Sequence, residues 1–178
     1  MMSEAEFLAG ITGSADDFQR VTAALRASGQ PFCLIGGLAV NKYAEPVVTL
    51  DADFAIAAGG GVSDALRAAG FEVEGFAHSI NARLPGSRLR IQITINSRYS
   101  QFPGRATEYE LFGTRLPVAA IEDLVQGKLW ALGDTSRRPS KRAKDRADLI
   151  RLAENCPEVI LMIPPKTVPE IDQMRGGQ

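Results

Sequence analysis

The residues with the most chemical promise are two aspartates, Asp51 and Asp53, separated by Ala52. They sit in an otherwise apolar stretch, with Val47, Val48 and Leu50 before them and Phe54 and Ile56 after. That composition reads as a β-strand, on which residues two apart share a face at a spacing of ~6.6 Å. Acidic side chains are poor strand formers, and two carboxylates held side by side repel one another unless a cation lies between them. Oxygen-only ligands of this kind suit Mg²⁺ or Mn²⁺. The plain alternative is a solvated Asp-x-Asp, and the apolar setting of the pair argues against it.

A second feature precedes the pair. Gly36 and Gly37 stand between a short apolar run, residues 31–35, and a helix-like one, residues 38–44. Without Cβ atoms, their backbone amides can approach a phosphate, and a helix start favours negative charge. A Gly-Gly pair by itself is usually a turn and nothing more. What singles this one out is the aspartate pair that begins fourteen residues after Gly37. A phosphate cradle beside a dicarboxylate metal site is what phosphoryl or nucleotidyl transfer needs.

The elements that must position these residues can be read in order. Ser14 is the expected N-cap of a first helix, with Asp16 and Asp17 in its first turn and Phe18, Val21 and Leu25 at helical spacing. Strands are expected at 31–35 and 47–56, the second carrying Asp51 and Asp53. Ser63 caps a short helix over 64–69, and a strand follows at 71–76. A hairpin over 79–84 and 89–95 turns at Pro85, Gly86 and Ser87. Residues 97–106 read as a loop, and 109–116 as one more strand or hairpin. At Pro117 the character changes to two helices, 117–132 and 141–153, then short apolar segments and a polar end at Gly176, Gly177 and Gln178. This predicts a mixed-sheet α/β (α+β) core over 1–116, with a C-terminal helical segment and tail over 117–178 packed on it.

Composition narrows the class. The chain has 178 residues, 45% of them hydrophobic and 23% charged. That excludes a disordered chain, a collagen-like repeat and a coiled coil. A net charge of −1 is not that of a general polyanion binder. Two cysteines, Cys33 and Cys156, cannot make a disulfide scaffold. No signal peptide or membrane-length apolar run is visible, so a cytoplasmic protein with reduced thiols is expected.

The stretch Leu34-Ile35-Gly36-Gly37-Leu38-Ala39-Val40, followed by Thr49-Leu50-Asp51-Ala52-Asp53-Phe54, resembles the nucleotidyltransferase superfamily with the DNA polymerase beta-type fold. It is most similar to the small prokaryotic members grouped with toxin–antitoxin and abortive-infection systems. Lys128 and the run Lys144-Asp145-Arg146-Ala147-Asp148-Leu149 match the C-terminal lysine and charged stretch of such proteins. The resemblance covers residues 31–152. It implies metal-dependent transfer of a nucleoside monophosphate from an NTP to an acceptor. Gly36 and Gly37 would hold the triphosphate, Asp51 and Asp53 would bind two Mg²⁺ ions, and Lys128 and Lys144 would be supporting phosphate contacts. A third carboxylate belongs on a later strand facing the first two.

Here the chain departs from the pattern. The polar face of the 88–96 strand shows Arg90, Gln92 and Thr94, with Gln92 where Asp or Glu is expected. An amide can be a ligand but not a general base. Glu72 or Glu74 could substitute from the neighbouring strand. Val47 also stands where many relatives have Arg. Two readings therefore stay open: an active transferase, or an impaired nucleotide-binding member that pairs with a protein partner. A glycosyltransferase-like use of Asp-x-Asp on a nucleotide sugar is a third, fitted less well by the Gly-Gly placement.

The remaining features have plain readings. His78 stands in a polar turn, Cys33 is core, Trp130 is packing, and Gly59 to Gly61 lack a P-loop ending. The basic run over 137–146 is either a solvated helix start or a contact with phosphates of an NTP or an RNA acceptor. Nothing points to DNA.

Overall fold

A computed structural model describes the backbone of residues 4–176 and the side chains of residues 16–176. Among the described residues, seven strands form one sheet. They are β1 (Phe32–Ile35), β2 (Asp51–Ile56), β3 (Glu72–Gly75), β4 (Ser79–Arg83), β5 (Arg90–Thr94), β6 (Thr107–Leu111) and β7 (Thr114–Val118). Their order across the sheet is β3-β4-β5-β2-β1-β7-β6. β2 runs antiparallel to β1 and parallel to β5, so the sheet is mixed, as expected for the α/β class.

The two faces of the sheet differ because the strands alternate. Ala52, Phe54 and Ile56 of β2, Ile91 and Ile93 of β5, and Ile80 and Ala82 of β4 are buried on one side. Two helices supply the rest of this core, α1 (Glu4–Ala27) through Phe18, Val21 and Leu25, and α3 (Val62–Ala68) through Val62 and Leu66. Phe54 is its hub, with ring centroids 6.2 Å from Phe18 and 6.1 Å from Phe32. The opposite face carries Asp51, Asp53, Arg90, Gln92 and Asn81.

A second core joins the C-terminal helices to the short helix α2 (Gly36–Val40). The helices are α5 (Ile121–Gly133), α6 (Pro139–Asn155), α7 (Val159–Met162) and α8 (Pro169–Gly176). Val40 and Ala44 pack there with Val125, Leu149, Leu152 and Ile163.

Several boundaries differ from the sequence expectations. α1 runs through Ser14 and starts at Glu4, so Asp16 and Asp17 lie inside it; the side chain of Ser14 falls outside the described residues, as do Gly177 and Gln178. Residues 47–50 do not extend β2. The Asn41 side chain pairs with Val47 through both its amide groups, and the Thr49 hydroxyl accepts from the Asp51 N–H, so the segment is held as an irregular loop outside the ladder. Gly61, at φ +76°, caps α3 instead of Ser63. Residues 97–106 contain a 3₁₀ turn (Ser97–Tyr99) and α4 (Phe102–Arg105), pinned because Tyr99, Phe102 and Trp130 form an aromatic cluster with centroids 5.0–6.0 Å apart. Pro117 lies in β7, and the next helix begins only at Ile121.

Phe54 is fully buried between two aromatic partners. Phe54→Ala is expected to destabilise the fold by about 3–5 kcal/mol, read as a lower urea midpoint with an unchanged slope.

Candidate active site

The strand register assembles the site. In the parallel pairing of β2 with β5, Asp51 lies opposite Arg90 and Asp53 opposite Gln92. On the other side of β2, Asp53 lies opposite Ile35, the last residue of β1. The chain then enters α2 at Gly36. A Cβ on Gly36 would lie 2.2 Å from Asp53 Oδ2, and its φ of +70° is one that side chains rarely adopt. Gly36 is therefore a glycine for two independent reasons. Gly37 is less confined. A Cβ there would meet Thr49, Asp148 and Lys144 at ordinary distances of 3.8–4.0 Å.

The two aspartates have opposite surroundings. Asp51 is held by cations from both walls of a cleft. Arg90 Nε donates to its Oδ1 at 2.6 Å, Lys141 Nζ to its Oδ2 at 3.1 Å, and Lys144 Nζ stands 3.9 Å from Oδ2. Burial works to raise the Asp51 pKa, but the hydrogen bonds and charges of Lys141 and Arg90 outweigh it and hold the carboxyl below its ordinary value. The Asp53 carboxylate has no hydrogen-bond or ion-pair partner among the described residues. Burial pushes its carboxyl above the ordinary value against the pull of Lys128, and the charge of Asp51 adds to the push.

Lys128 does not face solvent. Its ammonium is buried between two carboxylates of α6, 2.9 Å from Asp145 Oδ1 and 2.6 Å from Asp148 Oδ2. Burial lowers its pKa, but Asp148 and Asp145 more than compensate and hold it above its ordinary value. Arg137 closes on Asp145 at 2.8 Å and Arg151 on Asp148 at 2.8 Å. Arg151 continues to Asn41 and to the carbonyl of Glu45, which ties this network to the turn before β2. Lys144 is different. Its ammonium is accessible and donates to Thr49 Oγ1 at 3.2 Å, beside Gly37 and Asp51.

Two cavities meet at Asp53 and Gln92. One, of about 290 Å³, is lined by His78, Tyr99, Lys128 and Asp145. The other, of about 670 Å³, spreads over Asp51, Arg90, Lys141, Arg138 and Glu74. Gln92 is thus at the centre of the site, beside Asp53. Glu74 shares its cross-strand row through Asn81, but lies two strands from Gln92, or ~10 Å at the usual strand spacing. Glu72 is taken by Arg83 at 2.7 Å. No group of three or more His, Cys, Asp or Glu side chains among the described residues is placed to hold a metal ion. The donors that remain are Asp53, which lacks a counter-charge, and Asp51. They fit one Mg²⁺ completed by water and phosphate oxygens, since this ion takes one or two carboxylates plus substrate phosphates.

Sequence reasoning passed over Arg90 and Lys141. Arg90 precedes Gln92 by two on the same strand face, and Lys141 lies inside the basic run. Lys141, Lys144, Asp145 and Asp148 follow the i, i+3, i+4, i+7 spacing of one helix face, a pattern that could have shown α6 turning charge toward the sheet.

No family model and no curated protein matches the chain. Solved structures do. The solution structure of the antibiotic-resistance factor ANT(2'')-Ia aligns with a TM-score of 0.58 over 93% of this chain and 92% of its own, at 14% identity. A candidate nucleotidyltransferase from H. pylori aligns at 0.60 over 98% of this chain and 80% of its own, at 16% identity. The chain has the nucleotidyltransferase fold. An antigenic nucleotidyltransferase-like protein from Paracoccidioides brasiliensis shares it at a TM-score of 0.52, 16% identity, and 99% and 91% coverage of the two chains. Within this nucleotidyltransferase fold, the Gly-Gly turn and the Asp-x-Asp strand that carry the sequence resemblance are direct neighbours.

The geometry makes two pairs of opposed outcomes. Gly36→Ala is expected to destabilise by about 1–3 kcal/mol from backbone strain alone, whereas Gly37→Ala is neutral or stabilising by up to about 1 kcal/mol, because it removes a helical glycine. Chemical denaturation of both variants checks this. Asp51 has a folded pKa below its ordinary 3.8, so it stabilises above that value and loses the contribution as pH falls through the folded pKa. Asp53 has a folded pKa above 3.8, so its ionisation destabilises the fold, fully above the folded pKa and not at all below 3.8. Thermal melts at pH 7 should therefore show Asp51→Asn lowered and Asp53→Asn raised, with the Asp53→Asn gain fading toward pH 4.

Proposed function

We propose that this protein binds a nucleoside triphosphate with Mg²⁺ in the cleft between β2 and α6 and transfers its nucleoside monophosphate to a hydroxyl-bearing acceptor. The observation that carries this reading is the junction of Gly36 with Asp53 and of the α6 lysines with Asp51 at one point in the nucleotidyltransferase fold. One of the structural relatives, ANT(2'')-Ia, forms a complex with adenylyl-2''-tobramycin and aligns at a TM-score of 0.59 and 13% identity, over 92% of this chain and 99% of its own. The adenylylated small molecule held by that relative supports nucleotidyl transfer as the reaction type.

In this reading Gly36 and Gly37 let the triphosphate approach the backbone, and Lys144 contacts its oxygens. Lys128 serves indirectly by holding Asp145 and Asp148, and through them α6. Asp51 and Asp53 would hold Mg²⁺, which when bound neutralises phosphate charge. A bond forms between the acceptor oxygen and the α-phosphorus, the bond to the bridging oxygen breaks, and pyrophosphate leaves. Gln92 can orient the acceptor hydroxyl but cannot take its proton, which passes to the Asp53 carboxylate beside it and from there to water.

Gln92 also favours a second reading, in which the protein binds nucleotide without turnover and acts through a protein partner of the toxin–antitoxin type. An RNA end is a further acceptor compatible with the basic 137–146 segment.

Calorimetric titration of each NTP with and without Mg²⁺ separates these. The transferase reading expects binding of at least one NTP that Mg²⁺ strengthens, with that Mg²⁺-dependent gain lost in Asp51→Asn/Asp53→Asn and transfer of label from the α-phosphate falling by at least about 100-fold in that variant. Binding without any transfer supports the second reading. Absence of binding to every NTP removes both.

A further inference from the structure

Three cations converge on Asp51, and a single carboxylate cannot neutralise them. Arg90 comes from β5, and Lys141 and Lys144 come from α6 across the cleft, so no local helical pairing explains the meeting. Of the other acids lining the cleft, Asp53 is turned against Gly36 and Glu72 is paired with Arg83, and neither they nor Glu74 reaches any of the three cations by a hydrogen bond. Lys144 completes its contacts with a neutral hydroxyl, that of Thr49, at 3.2 Å. All three heads remain open to solvent: the side chains of Arg90, Lys141 and Lys144 are 74%, 38% and 44% exposed. Arg138 lines the same cavity as Arg90 and Lys141. Lys128 is excluded from the set, because its ammonium is buried between Asp145 and Asp148.

The register adds a second point. The strand face that would carry an acid beside the aspartates carries Arg90 and Gln92 instead, directly opposite Asp51 and Asp53. A neutral amide thus stands where the resemblance leads one to expect an acid, a cation stands two residues before it, and both oxygens of Asp51 are already paired with protein cations.

We propose that Arg90, Lys141 and Lys144 form an anchor for a polyphosphate chain that works without a divalent cation, and that Asp51 is its internal competitor. Without ligand the three cations rest on Asp51. A polyphosphate offers several charged oxygens to two ammonium groups with three donors each and one guanidinium fork, and draws them away. The inference rests on the reading of this cleft as a triphosphate site, but it assigns part of the charge compensation to protein side chains.

The test is calorimetric titration of inorganic tripolyphosphate in EDTA, on wild type and three variants. Wild type binds without metal. Lys141→Gln and Arg90→Gln each weaken binding about tenfold, the effect of losing one charged hydrogen bond. Asp51→Asn strengthens metal-free binding, because it removes the competing carboxylate. The circular dichroism spectrum of each variant confirms folding. Absence of metal-free binding in wild type, weaker binding in Asp51→Asn, or equal binding in Lys141→Gln and Arg90→Gln would each overturn the proposal. The transferase reading survives such a result if Mg²⁺-dependent NTP binding persists. Conversely, metal-free tripolyphosphate binding with no added effect of Mg²⁺ on any NTP leaves the anchor standing and removes the transferase.

Discussion

The site depends on one buried ionic contact, that of Lys128 with Asp145 and Asp148. Lys128 belongs to α5 and both aspartates to α6, so the contact sets how α6 lies against the molecule. Lys141 and Lys144 are on the same face of α6, four and one residues before Asp145. Fixing Asp145 and Asp148 therefore fixes the lysines over Asp51. A buried ion pair is weak grounds for a stability argument, since desolvation offsets much of the attraction. Its effect here is positional. Two acids surround one ammonium, Arg137 and Arg151 satisfy the outer oxygens, and the Arg151 guanidinium reaches the Asn41–Val47 turn that leads into β2. The helix over the cleft and the strand beneath it are thus held by one continuous polar network, while the two apolar cores lie to either side.

A second constraint is steric. The antiparallel pairing of β1 with β2 puts Ile35 beside Asp53, so the next residue in the chain must pass the Asp53 carboxylate. Only a residue without Cβ can do so at the φ the turn requires. The same closeness withdraws water from Asp53 and leaves it without a donor. The cost of that carboxylate falls on the fold, and a bound cation removes it without changing the shape of the turn.

Much of this could be read from the chain, for identifiable reasons. Period-two alternation put Asp51 and Asp53 on one face of their strand and Arg90, Gln92 and Thr94 on one face of theirs, and the pairing of β2 with β5 joins these into the one polar face of the sheet. Gly36 was visible as a glycine, but its reason was not, because the contact with Asp53 is made across seventeen residues of sequence by strand pairing. The 47–56 strand was too long because an apolar, β-branched run looks alike in a strand and in an irregular loop; Asn41 decides between them with a side chain that imitates a strand partner. Lys128 reads as a phosphate contact only through the family resemblance. Its partners lie on another helix, and hydrophobic periodicity marks only the apolar face of α6. The charged face that carries Lys141, Lys144, Asp145 and Asp148 reads as solvated until the sheet is placed beneath it.

The two aspartates of the motif thus end in different electrostatic states although one residue separates them. Asp51 sits among more positive charge than it can neutralise, and Asp53 has less than it needs. A bound triphosphate with one divalent ion corrects both at once. Its oxygens take up the excess of Arg90, Lys141 and Lys144, and the ion supplies the charge missing at Asp53. Each component does half of this: the polyphosphate occupies the cations that rest on Asp51, and the ion supplies the charge missing at Asp53. The arrangement therefore favours arrival of the two together, and it does so with an arginine and a glutamine on β5 in the register where a third acid would have drawn a second ion.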